Sequence, residues 1–222
     1  RACRAVIAAR RQWPGSEWAV FRTLQLANFT TPLLLDDDQD LRAALGELHG
    51  IDAARLVGLI DDAGVIAEYE RDKAQTRTAA GSATELQGKA GNTDGQVRYT
   101  APSVIFTRLA DGLSLEAGGM QPAEAYDVLV ANLDPALDRQ APPEDPGELL
   151  ERFPLGLTTA EAAAILAPNN ALPDRPAAER ALIGLVWEGR ARRHPLGGDA
   201  LWTAPAAAPS PEPRAAAASI AR

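Results

Sequence analysis

Apolar residues recur at helical spacing through most of the first eighty residues. In the second such segment the apolar positions Trp18, Phe21, Leu24 and Phe29 lie near one helical face, and Ser16 is the predicted N-cap. The pattern as a whole predicts five successive helices, at residues 2–12, after Ser16, after the Asp36–Asp38 run, after Asp52 and from about 65 to 79. The carboxylates of the Asp36–Asp38 run favour the positive end of the third helix. Because nothing nominates converging ligands from elsewhere, we assign the run to helix initiation rather than to a metal site.

The pattern changes after Gly81. Residues 82–98 are polar and rich in glycine, which is typical of a surface loop or an irregular hairpin. Strand formers then follow in 99–106, Asp111-Gly112 is a turn signal, and 113–118 is predicted to be the returning strand. Residues 121–133 have the spacing of an amphipathic helix, with Pro122 in its first turn.

A proline-rich segment indicates a domain boundary near 140–147. Residues 141–147 carry the prolines and two acidic residues, a composition typical of a linker. Beyond it, 148–204 are predicted to contain a short helix over 157–167, a longer helix capped by Asp174, and a hairpin formed by 190–194 and 200–204. This order resembles a winged helix-turn-helix domain. The last segment, 205–222, is rich in alanine and proline without periodicity, and we expect it to be disordered.

Composition narrows the possible partners. The formal net charge is -8 and the pI about 4.9, whereas nucleic-acid-binding domains are usually basic. Since arginines and acidic residues nearly balance within 148–204, we do not expect a nucleic-acid partner. For residues 148–204 we prefer the interpretation that they form a docking module or a homodimer interface. No apolar run approaches the length of a membrane span, so we expect a soluble, cytoplasmic protein with no membrane partner.

The chain offers little material for metal or redox chemistry. Cys3 is its single cysteine, and His49 and His194 are its two histidines. One cysteine forms neither an internal disulfide nor a multi-cysteine zinc site, and we expect no metal and no cofactor. Cys3 is predicted to be a buried, small apolar residue. The opening residues have the composition of the middle of a helix and show no leader, so we interpret the chain as a fragment.

From YTAPSVIF onward the chain resembles the DsbA-like family, FrnE-type members included. The resemblance covers roughly residues 1–140: the helical segments look like the block that this family inserts into its thioredoxin fold. The proline-containing strand, its antiparallel partner and the closing helix that opens with Gln121-Pro122 then follow in the family's order. The resemblance implies an α/β, thioredoxin-like fold with a large inserted helical block in 1–81 and the strand hairpin and closing helix in 99–133, followed by a small winged-helix-like domain.

The resemblance also implies where substrate binds. In the family a cis-proline loop faces the reactive dithiol, and Pro102 matches that proline, with Ala101 before it and Ser103 after it. Ala101 departs from the valine or threonine more often found there. Proline removes a backbone N–H, and the backbone of Ala101 is then expected to pair with a bound peptide or sulfur ligand. The family's first strand and C-x-x-C helix are absent here, so no catalytic residue is assigned and the chain as given is expected to be inactive.

Three functions remain open. The first is a thiol–disulfide oxidoreductase or disulfide isomerase in its intact form, acting on a protein or a small thiol or disulfide. The second is an enzyme similar to the 2-hydroxychromene-2-carboxylate isomerases, which belong to the same fold and which a serine in place of C-x-x-C would indicate. The third is a non-catalytic protein-binding module that uses the groove and residues 148–204.

Overall fold

In the computed structural model, which describes residues 1–91, 95–141, 143–168 and 171–205, helices are combined with small antiparallel sheets. The prediction of a mixed α and β protein is therefore confirmed in this general form. The chain divides into two compact units, Arg1–Ala141 and Pro142–Arg222. Of the segment predicted to be a disordered tail, 206–222 lie outside the described residues. In the part of the chain that is described, no helix is both long enough and apolar enough to cross a membrane.

Five helices form the N-terminal part of the first unit. They are α1 (Ala2–Gln12), α2 (Glu17–Thr30), α3 (Asp38–Leu45), α4 (Ala53–Leu59) and α5 (Ala63–Thr76). Asp37 begins α3 by accepting hydrogen bonds from the N–H groups of Gln39 and Asp40, at 2.8 and 3.1 Å. Asp52 begins α4 in the same way, through the N–H of Arg55 at 2.9 Å. Carboxylates in this sequence therefore do the capping that the pattern predicted for them.

Ser16 stands at the N-cap of α2 but does not cap it. Its backbone angles, φ -92° and ψ -9°, are helical, whereas a capping side chain needs an extended N-cap backbone to reach the following N–H groups. The predicted N-cap position of Ser16 is therefore confirmed, but its side chain forms no capping hydrogen bond.

The helical block has a continuous apolar core. Alanines 5, 8 and 9 of α1 lie on one face and are fully buried or nearly so. Cys3 lies about 200° around the helix from Ala5 and is exposed, so the prediction that it is buried was wrong. The twelve buried members of the core are Ala5, Ile7, Ala8, Ala9, Val20, Leu24, Leu41, Leu45, Leu56, Val57, Ile60 and Val65.

Short elements follow the helical block. They are α6 (Ala83–Leu86), β1 (Ala90–Gly91), β2 (Arg98–Tyr99), β3 (Val104–Thr107), β4 (Ser114–Ala117) and α7 (Ala123–Leu133). The predicted 82–98 loop thus contains one helical turn and a strand pair, while its residues 92–94 lie outside the described ones. β1 pairs with β2 and β3 with β4, both antiparallel, as two separate two-stranded sheets.

The β3–β4 hairpin has two unlike faces. Phe106 pairs with Leu115 on the face toward α7, where the Phe106 ring meets Tyr126 edge-on at 6.1 Å between centroids. Ile105 and Glu116 pair on the opposite face, and Ile105 is 47% exposed there. Strand alternation places these two sets on opposite sides, so Phe106 packs on α7 while Ile105 remains accessible on the opposite face.

The second unit contains α8 (Pro146–Arg152), β5 (Leu157–Thr158), α9 (Thr159–Leu166), α10 (Arg175–Trp187), β6 (Arg192–Leu196) and β7 (Asp199–Thr203). The three strands are antiparallel in the order β5-β7-β6. The sequence placed 146–147 in the linker, but Asp145 caps α8 through the N–H of Gly147, at 2.9 Å. The helix predicted over 157–167 is preceded by β5, because Thr158 is extended and forms a capping box with Glu161.

The second unit has its own core around Trp202. Trp202 is fully buried, its indole N–H donates to the Thr159 hydroxyl at 2.8 Å, and the guanidinium of Arg193 lies 5.6 Å from its ring centroid. The nine buried members of this core are Leu149, Leu150, Leu157, Ala162, Leu182, Leu185, Ala191, Ala200 and Trp202. Each unit therefore has an apolar core of its own.

Candidate functional site

The segment between β2 and β3 carries the three residues that the sequence nominated for substrate binding. Ala101 and Pro102 are exposed, Ser103 is half-buried, and the peptide bond between Ala101 and Pro102 is cis. We call this segment, with Gly119 and Met120 from the turn after β4, the proline-loop site. The structure brings all three nominated residues into one exposed loop at the start of β3.

Ser103 joins the two halves of the site. Its hydroxyl donates to the carbonyl of Thr100 and accepts the N–H of Gly119 at 3.1 Å. Both bonds are internal, so this side chain fixes the loop against the turn after β4. Ala101 and Pro102 are thereby left to face solvent, and Ser103 acts in the site by positioning them.

A second connection fixes the loop from the side of α6. The Thr100 hydroxyl donates to the carbonyl of Lys89, whose own N–H donates to the carbonyl of Thr84 at 3.0 Å. The stem of Lys89 also lies beside Gly119, since a Cβ on that glycine would be 3.7 Å from Lys89 Cδ. This stem therefore packs against the turn after β4, and Lys89 forms no ion pair with any residue that the structure describes.

Glu116 is the best-connected polar group behind the site. Its carboxylate accepts hydrogen bonds from the N–H of Thr84 at 3.1 Å, the hydroxyl of Thr84 at 2.9 Å and the hydroxyl of Tyr99 at 2.9 Å. Burial raises the pKa of this carboxyl, but the hydrogen bonds outweigh burial and the net pKa is lowered. For Tyr99, burial and then the bond to Glu116 both raise the pKa. The carboxylate thus holds α6, β2 and β4 together.

Gly118 allows α6 to approach β4. A Cβ at this position would lie 2.5 Å from the Thr84 methyl and 2.8 Å from its hydroxyl oxygen, closer than atoms pack. Thr84 is itself only 1% exposed and cannot move out of the way without cost. A glycine is therefore required here for close approach.

The surroundings of the loop are apolar and open. Met120 is 84% exposed and Ile105 is 47% exposed. Within the described part of the chain, β3 pairs only with β4, and no hydrogen bond engages the backbone N–H or C=O of Ala101. Free backbone groups at a strand edge are a template for an added strand. The site can therefore accept an extended chain through backbone pairing, with apolar contacts beside it.

The proline-loop site contains no thiol. Cys3 lies on α1 in the helical block, and the chain has no other cysteine. In the described ranges, no group of three or more His, Cys, Asp or Glu side chains could hold a metal ion. What the site offers is the exposed backbone of Ala101 and the apolar surface of Met120.

Sequence reasoning missed part of the site. The roles of Lys89 and Glu116 depend on contacts between segments far apart in sequence, which no local pattern records. The pattern placed Gly118 only at the end of the returning strand, although this glycine marks the close approach to Thr84. A glycine at a strand end was the one signal that could have indicated a packed neighbour.

Comparison with known proteins adds no homologue. No family model matches this chain, and no curated protein shows significant sequence similarity to it. The geometry of the site and the order of the elements are therefore the observations on which a function can be proposed.

Proposed function

We propose that this chain is the substrate-binding part of a thiol–disulfide oxidoreductase or disulfide isomerase of the DsbA-like type. The observation that carries the proposal is the proline-loop site: Ala101 and Pro102 are exposed just before β3, whose outer edge is unpaired within the described part of the chain. Ser103 and Thr100 fix that loop from behind. A rigid loop beside an open strand edge is suited to holding a substrate segment in an extended conformation.

The order of elements supports the fold half of this proposal. A helical block precedes a proline-containing strand, an antiparallel partner and a closing helix, which is the order expected of a thioredoxin-like fold with an inserted helical block. The β3–β4 sheet has two strands, whereas a sheet usually needs three or more strands to be stable on its own. In the second unit, the helices α8, α9 and α10 are combined with an antiparallel sheet of order β5-β7-β6. This combination supports a winged-helix-like assignment.

In the proposed mechanism the chain binds and orients rather than reacts. The substrate backbone pairs with the free N–H and C=O of Ala101, and its side chains contact Ile105 and Met120. Thiol–disulfide exchange needs an attacking thiolate and a resolving thiol, and Cys3 alone cannot supply both. The proposal assigns the reactive dithiol to a C-x-x-C segment that is not among these 222 residues.

Binding of an extended peptide tests the proposal directly. A fluorescein-labelled, apolar peptide with one S-methylated cysteine is titrated with the chain and followed by fluorescence anisotropy. Ala101→Arg places a long side chain over the pairing groups, so we expect its dissociation constant to rise about tenfold, or roughly 1.4 kcal/mol. Ala110→Arg, at an equally exposed alanine in the hairpin turn, is the matched control and should bind as the unmodified chain does.

Two results would contradict the proposal: equal weakening by both arginines, or no binding at all at high protein concentration. A matched peptide with serine in place of the modified cysteine separates the second candidate, a non-catalytic protein-binding module. The absence of any thiol at the site favours that candidate. Equal affinity for both peptides would favour the module, whereas a preference for the sulfur-containing peptide would favour the oxidoreductase.

A further inference from the structure

The outward face of α10 carries an apolar stripe that the second unit does not bury. Ile183 is 50% exposed and Trp187 is 92% exposed, while Leu182 and Leu185 of the same helix are buried. Arg180 precedes these residues on the exposed face. Residues 180, 183 and 187 are spaced three and four apart, so they form one continuous row on the helix surface. We call this row the α10 stripe.

The α10 stripe contains an unpaired cation and an unpaired aromatic ring. The neighbouring arginines, Arg175 and Arg190, form ion pairs with Asp199 and Asp145. Arg180 forms none with any residue in the described ranges, and the Trp187 ring is almost wholly in solvent. A guanidinium and an indole face attract each other, but on one helix Arg180 and Trp187 stand about 10 Å apart along the axis. Within one chain, therefore, the Arg180 guanidinium and the Trp187 ring cannot contact each other.

A two-fold axis brings these complementary groups together. If two copies of α10 pack antiparallel with the axis between Ile183 and Gly184, Arg180 of each copy lies opposite Trp187 of the other. The two Ile183 side chains then meet at the centre. Gly184 adds no side chain to this face, and no atom lies within 4 Å of the place where its Cβ would be, so the helices can approach closely. Such an isologous contact is the commonest way in which identical chains associate.

The charges around the stripe disfavour nucleic acid as the occupant. Glu179 lies on the same helix and Glu188 follows its last residue, and both are exposed. Phosphate contacts supply most of the affinity for nucleic acid, and carboxylates and apolar side chains do not make them. The α10 stripe is therefore more complementary to a second copy of itself than to nucleic acid.

We propose that the α10 stripe is a homodimer interface, in which the stripe of a second copy of this chain packs antiparallel with paired Arg180–Trp187 contacts and a central Ile183 contact. This inference is independent of the proposed function, because it involves no residue of the proline-loop site. It assigns to the second unit the role of joining two copies of the chain.

Sedimentation velocity on the full chain tests the interface over roughly a hundredfold range of protein concentration, since dimer content depends on protomer concentration. We expect a dimer for the unmodified chain. Ile183→Glu brings two like charges together at the axis and should raise the dimer dissociation constant by at least about tenfold. Leu109→Glu, at a leucine that is 96% exposed in the first unit, makes the same chemical change off the stripe and should leave association unchanged.

A charge-pair experiment guards against misfolding of the variants. Ile183→Glu and Ile183→Lys should each be monomeric alone and should form a mixed dimer when combined in equal amounts, because opposite charges then meet at the axis. A chain that is monomeric at every concentration, or a dimer that Ile183→Glu leaves intact, would overturn the proposal. So would a monomeric chain whose α10 binds duplex DNA and loses that binding on Arg180→Ala.

Discussion

The two hairpins of this protein have similar local patterns and very different surroundings. In the second unit β7 alternates half-buried with buried residues, and Trp202 and Ala200 face an apolar core. In the first unit β3 alternates half-buried with exposed residues, and Ile105 faces solvent. The difference lies in what covers the second face and the second edge: among the residues that the structure describes, β7 has strands on both sides, whereas β3 has a strand on one side.

This difference separates a sheet whose central strand is paired on both sides from a hairpin in which the outer edge of β3 is unpaired among the described residues. A central strand such as β7 has both edges paired and serves as the support of a core. A strand with one free edge and one accessible face keeps backbone groups available, at a cost in stability and in resistance to aggregation. The β6 edge in the second unit carries Arg192, Arg193 and Pro195, residues that block added strands, whereas β3 is Val-Ile-Phe-Thr.

The largest effect that we expect comes from the covered sheet. Trp202→Ala removes a fully buried aromatic and its bond to Thr159, so the second unit should lose about 3–5 kcal/mol of its free energy of unfolding. Urea unfolding followed by near-ultraviolet circular dichroism measures this. Leu172→Ala, at a leucine 93% exposed in the same unit, should change the midpoint very little. A loss below about 1 kcal/mol for Trp202→Ala would mean that this core is not close-packed.

An intermediate effect is expected behind the proline-loop site. Glu116→Gln replaces a carboxylate that accepts three hydrogen bonds, and should cost the β3–β4 hairpin about 1 kcal/mol at neutral pH. The pKa of Glu116 is lowered on folding, so the charged form contributes stability above its ordinary pKa of 4.5, and the contribution is lost as the pH falls through the lower folded value.

Hydrogen exchange of the β3 and β4 amides reports this pH dependence. Protection in the unmodified chain should decline below about pH 4.5, beyond the intrinsic change in exchange rate. In Glu116→Gln the protection should be lower at neutral pH and should show no such decline. A decline of the same size in both proteins would assign the effect to another carboxylate.

The smallest effect on stability is expected at the exposed face of β3. Ile105→Ala should change the free energy of unfolding by no more than about 0.5 kcal/mol, because the side chain is half in solvent. The same substitution should nevertheless weaken binding of the extended peptide, since it removes an apolar contact beside the pairing groups. Unchanged peptide affinity in a folded Ile105→Ala chain would remove this face from the proposed substrate surface.

The sequence pattern predicted much of this fold, because many of its helices are determined by residues that are close together in the sequence. The helices of the first block follow from apolar spacing and from caps such as Asp37 and Asp52. Their packing was not predictable in the same way, and Cys3 shows why: a small apolar residue two positions from Ala5 lies on the opposite side of α1. Which face of an alanine-rich helix is buried depends on its neighbours.

Only the loop of the candidate site could be predicted from the sequence. The residues from Ala101 to Ser103 were nominated by resemblance, and the structure places them together in an exposed loop. The groups that fix the loop are Lys89, after α6, and Gly119, after β4, and their hydrogen bonds join residues 11 and 16 positions apart in sequence. For the segment that contains β1, the sequence left a loop and an irregular hairpin open, because two residues carry too little pattern to distinguish a strand from a loop.

The close packing of Gly118 against Thr84 has a consequence for how related chains can be recognised. Any side chain at position 118 would push α6 away from β4, and the Glu116 and Lys89 contacts depend on that approach. Natural variation should therefore be much narrower at Thr84 and Gly118 than at Ala101 and Met120, which are exposed. A threonine and a glycine with the sequence separation of Thr84 and Gly118, one on each side of a proline-containing strand, would form a two-residue sequence signature for detecting distant relatives of this chain.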